Sequence, residues 1–90
     1  MKVCKFGGSS LADAARVRMV CDIVQADPAR RVVVVSAPGK RDKSDTKVTD
    51  MLIACAEARL ADHSAEKELA AIVERFAGIH RDLGLPRKIL

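Results

Sequence analysis

An α/β fold built on parallel strands is what this sequence predicts, and three observations predict it. A short apolar run, Val3, Cys4 and Phe6, ends at Gly7-Gly8. A second run, Val32-Val33-Val34-Val35, is apolar at every position, as strands covered on both faces are. One helical pattern lies between them, with short links on either side. Strand, helix, strand with short links is a βαβ unit, whose right-handed crossover sets the two strands parallel and adjacent.

The first strand is expected over residues 2–6, closed by the glycine pair. Ser9-Ser10 then offers hydroxyls where the helical pattern starts, so Ser10 is read as its N-cap and Asp13 as an acid in its first turn. Leu11, Ala14, Ala15, Val17, Val20, Cys21 and Val24 recur at helical spacing as far as Ala26. Asp27-Pro28 ends the run, because the residue before a proline is pushed out of the α region. The second strand is expected over residues 31–36, followed by the loop Ser36-Ala37-Pro38-Gly39 and a charged, aperiodic stretch from Lys40 to Lys47. Thr46 is read as the cap of a second helix with Val48, Met51, Leu52, Cys55 and Ala56 on its apolar side, fading near Asp62. Ser64 opens a third, with Leu69, Ile72, Val73, Phe76, Ile79 and Leu83 on one face and Gly84 and Pro86 as its stop. Residues 87–90 start a further element. Two strands cannot bury four consecutive valines on both faces, so the chain is expected to be the front part of a larger α/β domain.

Composition narrows the function classes. The 90 residues contain two Phe and neither Tyr nor Trp, which leaves no stacking platform for single-stranded nucleic acid. The net charge of +4 is spread among acids, with Arg30-Arg31 and Lys40-Arg41 the only dense spots, so no nucleic-acid patch is expected. Cys4, Cys21 and Cys55 are far apart, odd in number and embedded in apolar patterns. They are read as buried free thiols of a reducing cytosol, not as disulfides or metal ligands. No run approaches a signal-peptide core or a membrane span, so a cytoplasmic protein without membrane partners is expected.

Chemistry concentrates at the carboxyl edge of the expected sheet, where open α/β sheets bind ligands. Gly7 and Gly8 would let an anion approach backbone N–H groups at a helix start. Lys5 sits in the strand itself, where an ammonium is costly without an anionic partner. It precedes both glycines, whereas the lysine of a P-loop follows them. Two readings stand side by side: a phosphate site, or a plain tight turn with Lys5 pointing into water at a sheet edge. By residue type alone, Ser36 reads as a turn residue ending a strand, Thr49 and Asp50 as ordinary first-turn helix residues, and His63 and His80 as surface histidines.

Three blocks in order carry more than any single residue: Lys5-Phe-Gly-Gly-Ser-Ser10-Leu-Ala-Asp13, then Val33-Val-Val-Ser36-Ala37, then Lys47-Val-Thr49-Asp50-Met-Leu52. Together they resemble the N-terminus of aspartate kinase, in the amino-acid kinase superfamily, and Ser-Ala-Pro-Gly-Lys-Arg with its charged insert resembles the monofunctional bacterial branch. The resemblance implies a three-layer α/β/α sandwich with a mainly parallel sheet, of which residues 1–90 would be an incomplete N-terminal part without a regulatory ACT module. It implies ATP-dependent phosphorylation of the L-aspartate side-chain carboxylate, with Mg2+ accompanying the nucleotide, in a homo-oligomer at the entry to lysine, threonine and methionine synthesis. Lys5 would correspond to the catalytic lysine on the transferring phosphate, and Lys5, Phe6, Gly7, Gly8 and Ser9 to the nucleotide-binding turn. Ser36 and Thr49 would correspond to residues lining the aspartate site. The acid gripping the substrate amine, the adenine pocket and a second basic group would lie past residue 90, so these residues alone would be inactive. A different class of role, a non-catalytic assembly module with an exposed strand edge, is the alternative.

Overall fold

The structure is a computed structural model that describes residues 1–86. Strand β1, Lys2–Phe6, and strand β2, Arg30–Val35, lie side by side and parallel. Helix α1, Ala14–Gln25, crosses between them, as the sequence predicts. Val3 pairs with Val32, Cys4 with Val33, Lys5 with Val34 and Phe6 with Val35, with a register irregularity before Val3. The lower end is fastened by Asp27, whose carboxylate accepts from Lys2 Nζ at 2.6 Å and from Ala29 N at 2.9 Å. The Lys2 ammonium, more than the Ala29 N–H, holds that carboxyl below its ordinary pKa. Helices α2, Val48–Leu60, and α3, Glu66–Asp82, follow and pack on each other.

The helix starts differ from those expected. Gly8–Leu11 forms a 3-10 turn, which takes Ser9 and Ser10 out of the cap position. Asp13 is the N-cap of α1 instead, its carboxylate accepting from Arg16 N at 3.0 Å. Thr46 does not cap α2. Lys47 occupies that position without a side-chain bond, and the Val48 N–H donates to Pro38 O at 3.0 Å. Ala65 precedes α3, while Ser64 Oγ still accepts from Glu66 N at 3.3 Å. Both helix ends close with a left-handed residue, Asp62 (φ 59°) after α2 and Gly84 (φ 71°) after α3. His63 N reaches Ala58 O, and Leu85 N reaches His80 O, the six-residue bond of a Schellman motif. The further element expected at residues 87–90 lies outside the described residues.

Burial is concentrated at one place. Leu11, Ala12, Ala14, Val20, Val48 and Ile72 form the core, where the 3-10 turn, the starts of α1 and α2 and the middle of α3 meet. The valine strand is not covered on both faces as expected: Val32 to Val35 are 40–57% exposed, because two strands and one crossing helix leave most of the sheet open. Leu52, Leu69, Val73 and Phe76 are likewise exposed rather than lining a core, and Arg75 is buried on α3 in their stead. Cys21 is exposed and Cys4 and Cys55 are half-buried free thiols, not the buried ones expected, since they sit on these uncovered surfaces. The radius of gyration, 15.2 Å, exceeds the ~12 Å of a compact domain of this length. Expressed by itself, the 90-residue chain is therefore expected to self-associate through its open sheet. Sedimentation showing a monomer with a sharp cooperative melt would contradict this.

Candidate functional site

The carboxyl edge of the sheet brings the predicted segments together. The loop after β2 runs directly over the glycine turn. Gly39 N donates to Gly8 O at 2.7 Å, and Ser36 N donates to Phe6 O at 3.1 Å. A methyl group on Gly39 would sit 2.7 Å from Gly8 C and 2.9 Å from Ser9 N; one on Gly8 would sit 3.0 Å from Ala37 O. No side chain fits between these two backbones. Gly7 differs, because a methyl group there meets nothing within 4 Å. The turn is thus sealed on the Gly8 side and open at Gly7. Gly8 begins a 3-10 turn closed by Ser10 N donating to Gly7 O at 3.1 Å, and the first N–H groups of such a turn have no acceptor within it.

Lys5 lies one residue before Phe6 at the end of β1 and is exposed, and no ion pair ties its ammonium to another described residue. The cost of burying it, argued from the sequence, does not arise on this open sheet. Ser36 is the exposed residue immediately after β2. Thr49, also exposed, is the second residue of α2, whose first N–H is the one held by Pro38 O. One continuous backbone arrangement therefore joins the ends of β1 and β2, the glycine turn and the start of α2.

Arg75 escaped the sequence reading. It is 6% exposed, and its guanidinium donates through Nη2 to Ala12 O at 2.9 Å and to Gly39 O, and through Nη1 to Thr46 O at 3.1 Å. Asp45 Oδ2 stands 3.6 Å from Nη1. Asp45 is itself gripped by Arg41, through Nε at 2.6 Å, Nη2 at 2.9 Å and the backbone N–H at 2.9 Å. The signal for Arg75 was its spacing, three residues after Ile72 and four before Ile79 on one helical stripe. A concavity of about 570 Å3 forms a trough between α2 and α3 beyond Arg75, lined by Asp13, Asp50, Glu68 and Glu74 among others. None of Lys5, Gly7, Gly8, Ser36 or Thr49 borders it. The chemistry-bearing edge lies apart from this trough. Among the described residues no three His, Cys, Asp or Glu side chains converge as a metal site would require, and no helix is long and apolar enough to cross a membrane.

The profile of the amino acid kinase family matches residues 1–83. This chain belongs to the amino acid kinase family. Aspartokinase 3 of Bacillus subtilis (strain 168) is 58% identical over 90 residues, all of this chain and 20% of that protein. The crystal structure of Clostridium acetobutylicum aspartate kinase superposes with a TM-score of 0.89 at 36% identity, over 93% of this chain and 19% of that enzyme. Escherichia coli aspartokinase III, crystallised with aspartate and ADP, superposes with a TM-score of 0.69 at 32% identity, over 97% of this chain and 18% of that enzyme. The fold of this chain is the corresponding part of the amino-acid kinase fold, and it spans about a fifth of each relative.

In this amino acid kinase chain, Asp45 sits in the loop between β2 and α2, bonded to Arg41 and close to Arg75. The Arg41 side chain first, then the Arg41 backbone N–H, holds its carboxyl far below the ordinary carboxylate range. A carboxyl with a lowered folded-state pKa adds stability above its unfolded pKa of about 3.9, and that stability is lost as pH falls toward the folded value. Asp45→Asn should therefore melt below the unmodified protein at neutral pH. The gap should narrow as pH drops below about 4. Melting curves across that range test it, and a gap independent of pH would dismiss the ion pair as its source.

Proposed function

We propose that, within its complete protein, this chain contributes the phosphate turn and part of the substrate edge of an aspartate kinase. The reaction is ATP-dependent phosphorylation of the L-aspartate side-chain carboxylate to 4-phospho-L-aspartate, the entry step to lysine, threonine and methionine synthesis, in a cytoplasmic homo-oligomer. Residues 1–90 form the N-terminal portion of its catalytic domain, and the remaining sheet, the adenine pocket and the ACT modules come from the rest of the protein. The observation that carries this reading is one edge holding Lys5, the open Gly7 turn, Ser36 and the start of α2, in a chain 58% identical to Aspartokinase 3.

Transfer of a phosphoryl group to a carboxylate needs little covalent help, only positioning and neutralisation of charge spreading over the phosphoryl oxygens. The turn has room for a phosphate, since its free face is open at Gly7 and a 3-10 turn starts at Gly8. Lys5, without a competing ion pair among the described residues, offers the ammonium that meets charge developing on the transferring group. Ser36 and the Thr49 hydroxyl orient the attacking aspartate from the neighbouring segments. Mg2+ would shield the phosphates when bound with ATP, and among the described residues no side chain is assigned to hold it.

The test uses the complete protein. ADP formation should depend on L-aspartate, and hydroxylamine should trap the acyl phosphate as a hydroxamate in equal amount. ATP turnover indifferent to aspartate, or yielding no hydroxamate, overturns the reading.

A further inference from the structure

We infer that Arg75 is a positioning residue that sets the spacing between the phosphate turn and the helix carrying Thr49, an inference that rests on the aspartate-kinase reading and deepens it. Its three acceptors belong to three separate segments. Ala12 ends the stretch that begins with the glycine turn, Gly39 lies in the loop after β2, and Thr46 stands just before α2. Each segment carries one part of the site: Gly7 and Gly8 in the first, Ser36 in the second, Thr49 beyond the third. The three meet in few other ways, chiefly Gly39 N on Gly8 O and Val48 N on Pro38 O. Those two bonds run in sequence along the edge. Among the hydrogen bonds of the described residues, those of the guanidinium reach from the first segment to the third in one step.

The chemistry suits this task. A guanidinium is a planar, rigid fork, so its donor directions fix the relative placement of several acceptors, which a single ammonium cannot do. Its burial is offset by three carbonyl acceptors and the nearby Asp45 carboxylate, although its Nε is buried without a partner among the described residues. Holding α3 to the core does not by itself require a cation, since the apolar Ile72 is buried on the same stripe. Arg75 touches neither substrate nor nucleotide in this reading. It acts through the backbones it holds.

Arg75→Lys keeps the charge and most of the length but replaces the fork by one nitrogen. In the complete protein, kcat with aspartate should fall about 10- to 100-fold, the size expected when reacting groups are displaced by up to about 1 Å. The Michaelis constant for aspartate should rise with it, and the melting temperature should fall, because buried carbonyls lose a donor. Arg75→Gln, which buries no charge, should be impaired at least as much per folded molecule. It keeps the question answerable if the lysine variant folds poorly. Amide hydrogen exchange supplies a readout independent of activity: protection at residues 8–12, 39 and 46–50 should drop together in either variant. Arg59→Lys, on the exposed side of α2, should change none of these. Folded variants with parental kcat and aspartate Michaelis constant overturn the inference while leaving the kinase reading intact. If the parent protein itself fails to phosphorylate aspartate, the kinase reading falls, and the three-segment exchange response still decides whether Arg75 holds those segments in register; unchanged exchange overturns it.

Discussion

Turnover of Lys5→Met in the complete protein should fall on the order of 10²- to 10³-fold, the usual loss when one positioned charge aimed at a transition state is removed. Methionine keeps most of the side-chain length and removes only the ammonium. Lys5 pairs with Val34 through the backbone, a pairing that any side chain allows, and its ammonium makes no ion pair with another described residue. Among the described residues the substitution therefore breaks no side-chain polar contact, and the strand should be as stable or slightly more so. The Michaelis constant for aspartate should change little, because Thr49 stands on α2, a different element. Three measurements decide the matter: turnover, both Michaelis constants and the melting temperature. A stable variant with near-parental turnover would return Lys5 to the plain reading, a solvated strand residue, and the phosphate site would lose its charge.

How far the sequence reached can be seen element by element. The βαβ unit was legible because its signals are local and strong: four valines in a row, a glycine pair, and a proline after Asp27. The helix stops were legible for the same reason, since Gly84 supplies the left-handed residue that a Schellman ending needs. The helix starts were not. Two caps were misplaced because tertiary geometry intervened: a 3-10 turn moved the start of α1 from Ser10 to Asp13, and Pro38 O took the N–H that a Thr46 side chain would have served. At the site, the convergence of Gly8 with the Ser36–Gly39 loop followed from parallel strands alone, because both then end on one edge. Arg75 did not follow. Its acceptors lie 29, 36 and 63 residues away, so no local pattern announces them. Between Glu74 and Phe76 an arginine reads as a solvated charge, and only its alignment with Ile72 and Ile79 hinted otherwise.

Gly39→Ala is expected to be the most damaging single methyl group in the chain. The added carbon would stand 2.7 Å from Gly8 C, 2.9 Å from Gly8 O and 2.9 Å from Ser9 N. Carbon atoms in van der Waals contact rest about 3.5–4.0 Å apart, so the two loops must separate by roughly 1 Å. All three obstacles are backbone, and no flexible side chain can yield in their place. Separation stretches the Gly39–Gly8 hydrogen bond, now 2.7 Å, and draws Gly39 O away from Arg75. Overpacking of this kind costs roughly 1–3 kcal/mol. The same displacement moves the turn that faces the phosphate, where about 1 Å of misplacement can cost on the order of 10²-fold in rate. Gly7→Ala is the matched comparison. Its methyl group meets nothing within 4 Å, and its φ of −77° is open to any residue. Stability should hold or rise by about 0.4–1 kcal/mol, because alanine narrows the unfolded ensemble. What should change is the Michaelis constant for ATP, raised by a methyl group on the face left open for phosphate. Denaturant midpoints and kinetics on both variants separate the two effects. Parental stability in Gly39→Ala would mean that the loops do not touch as described, and with that contact would go the sealed side of the turn.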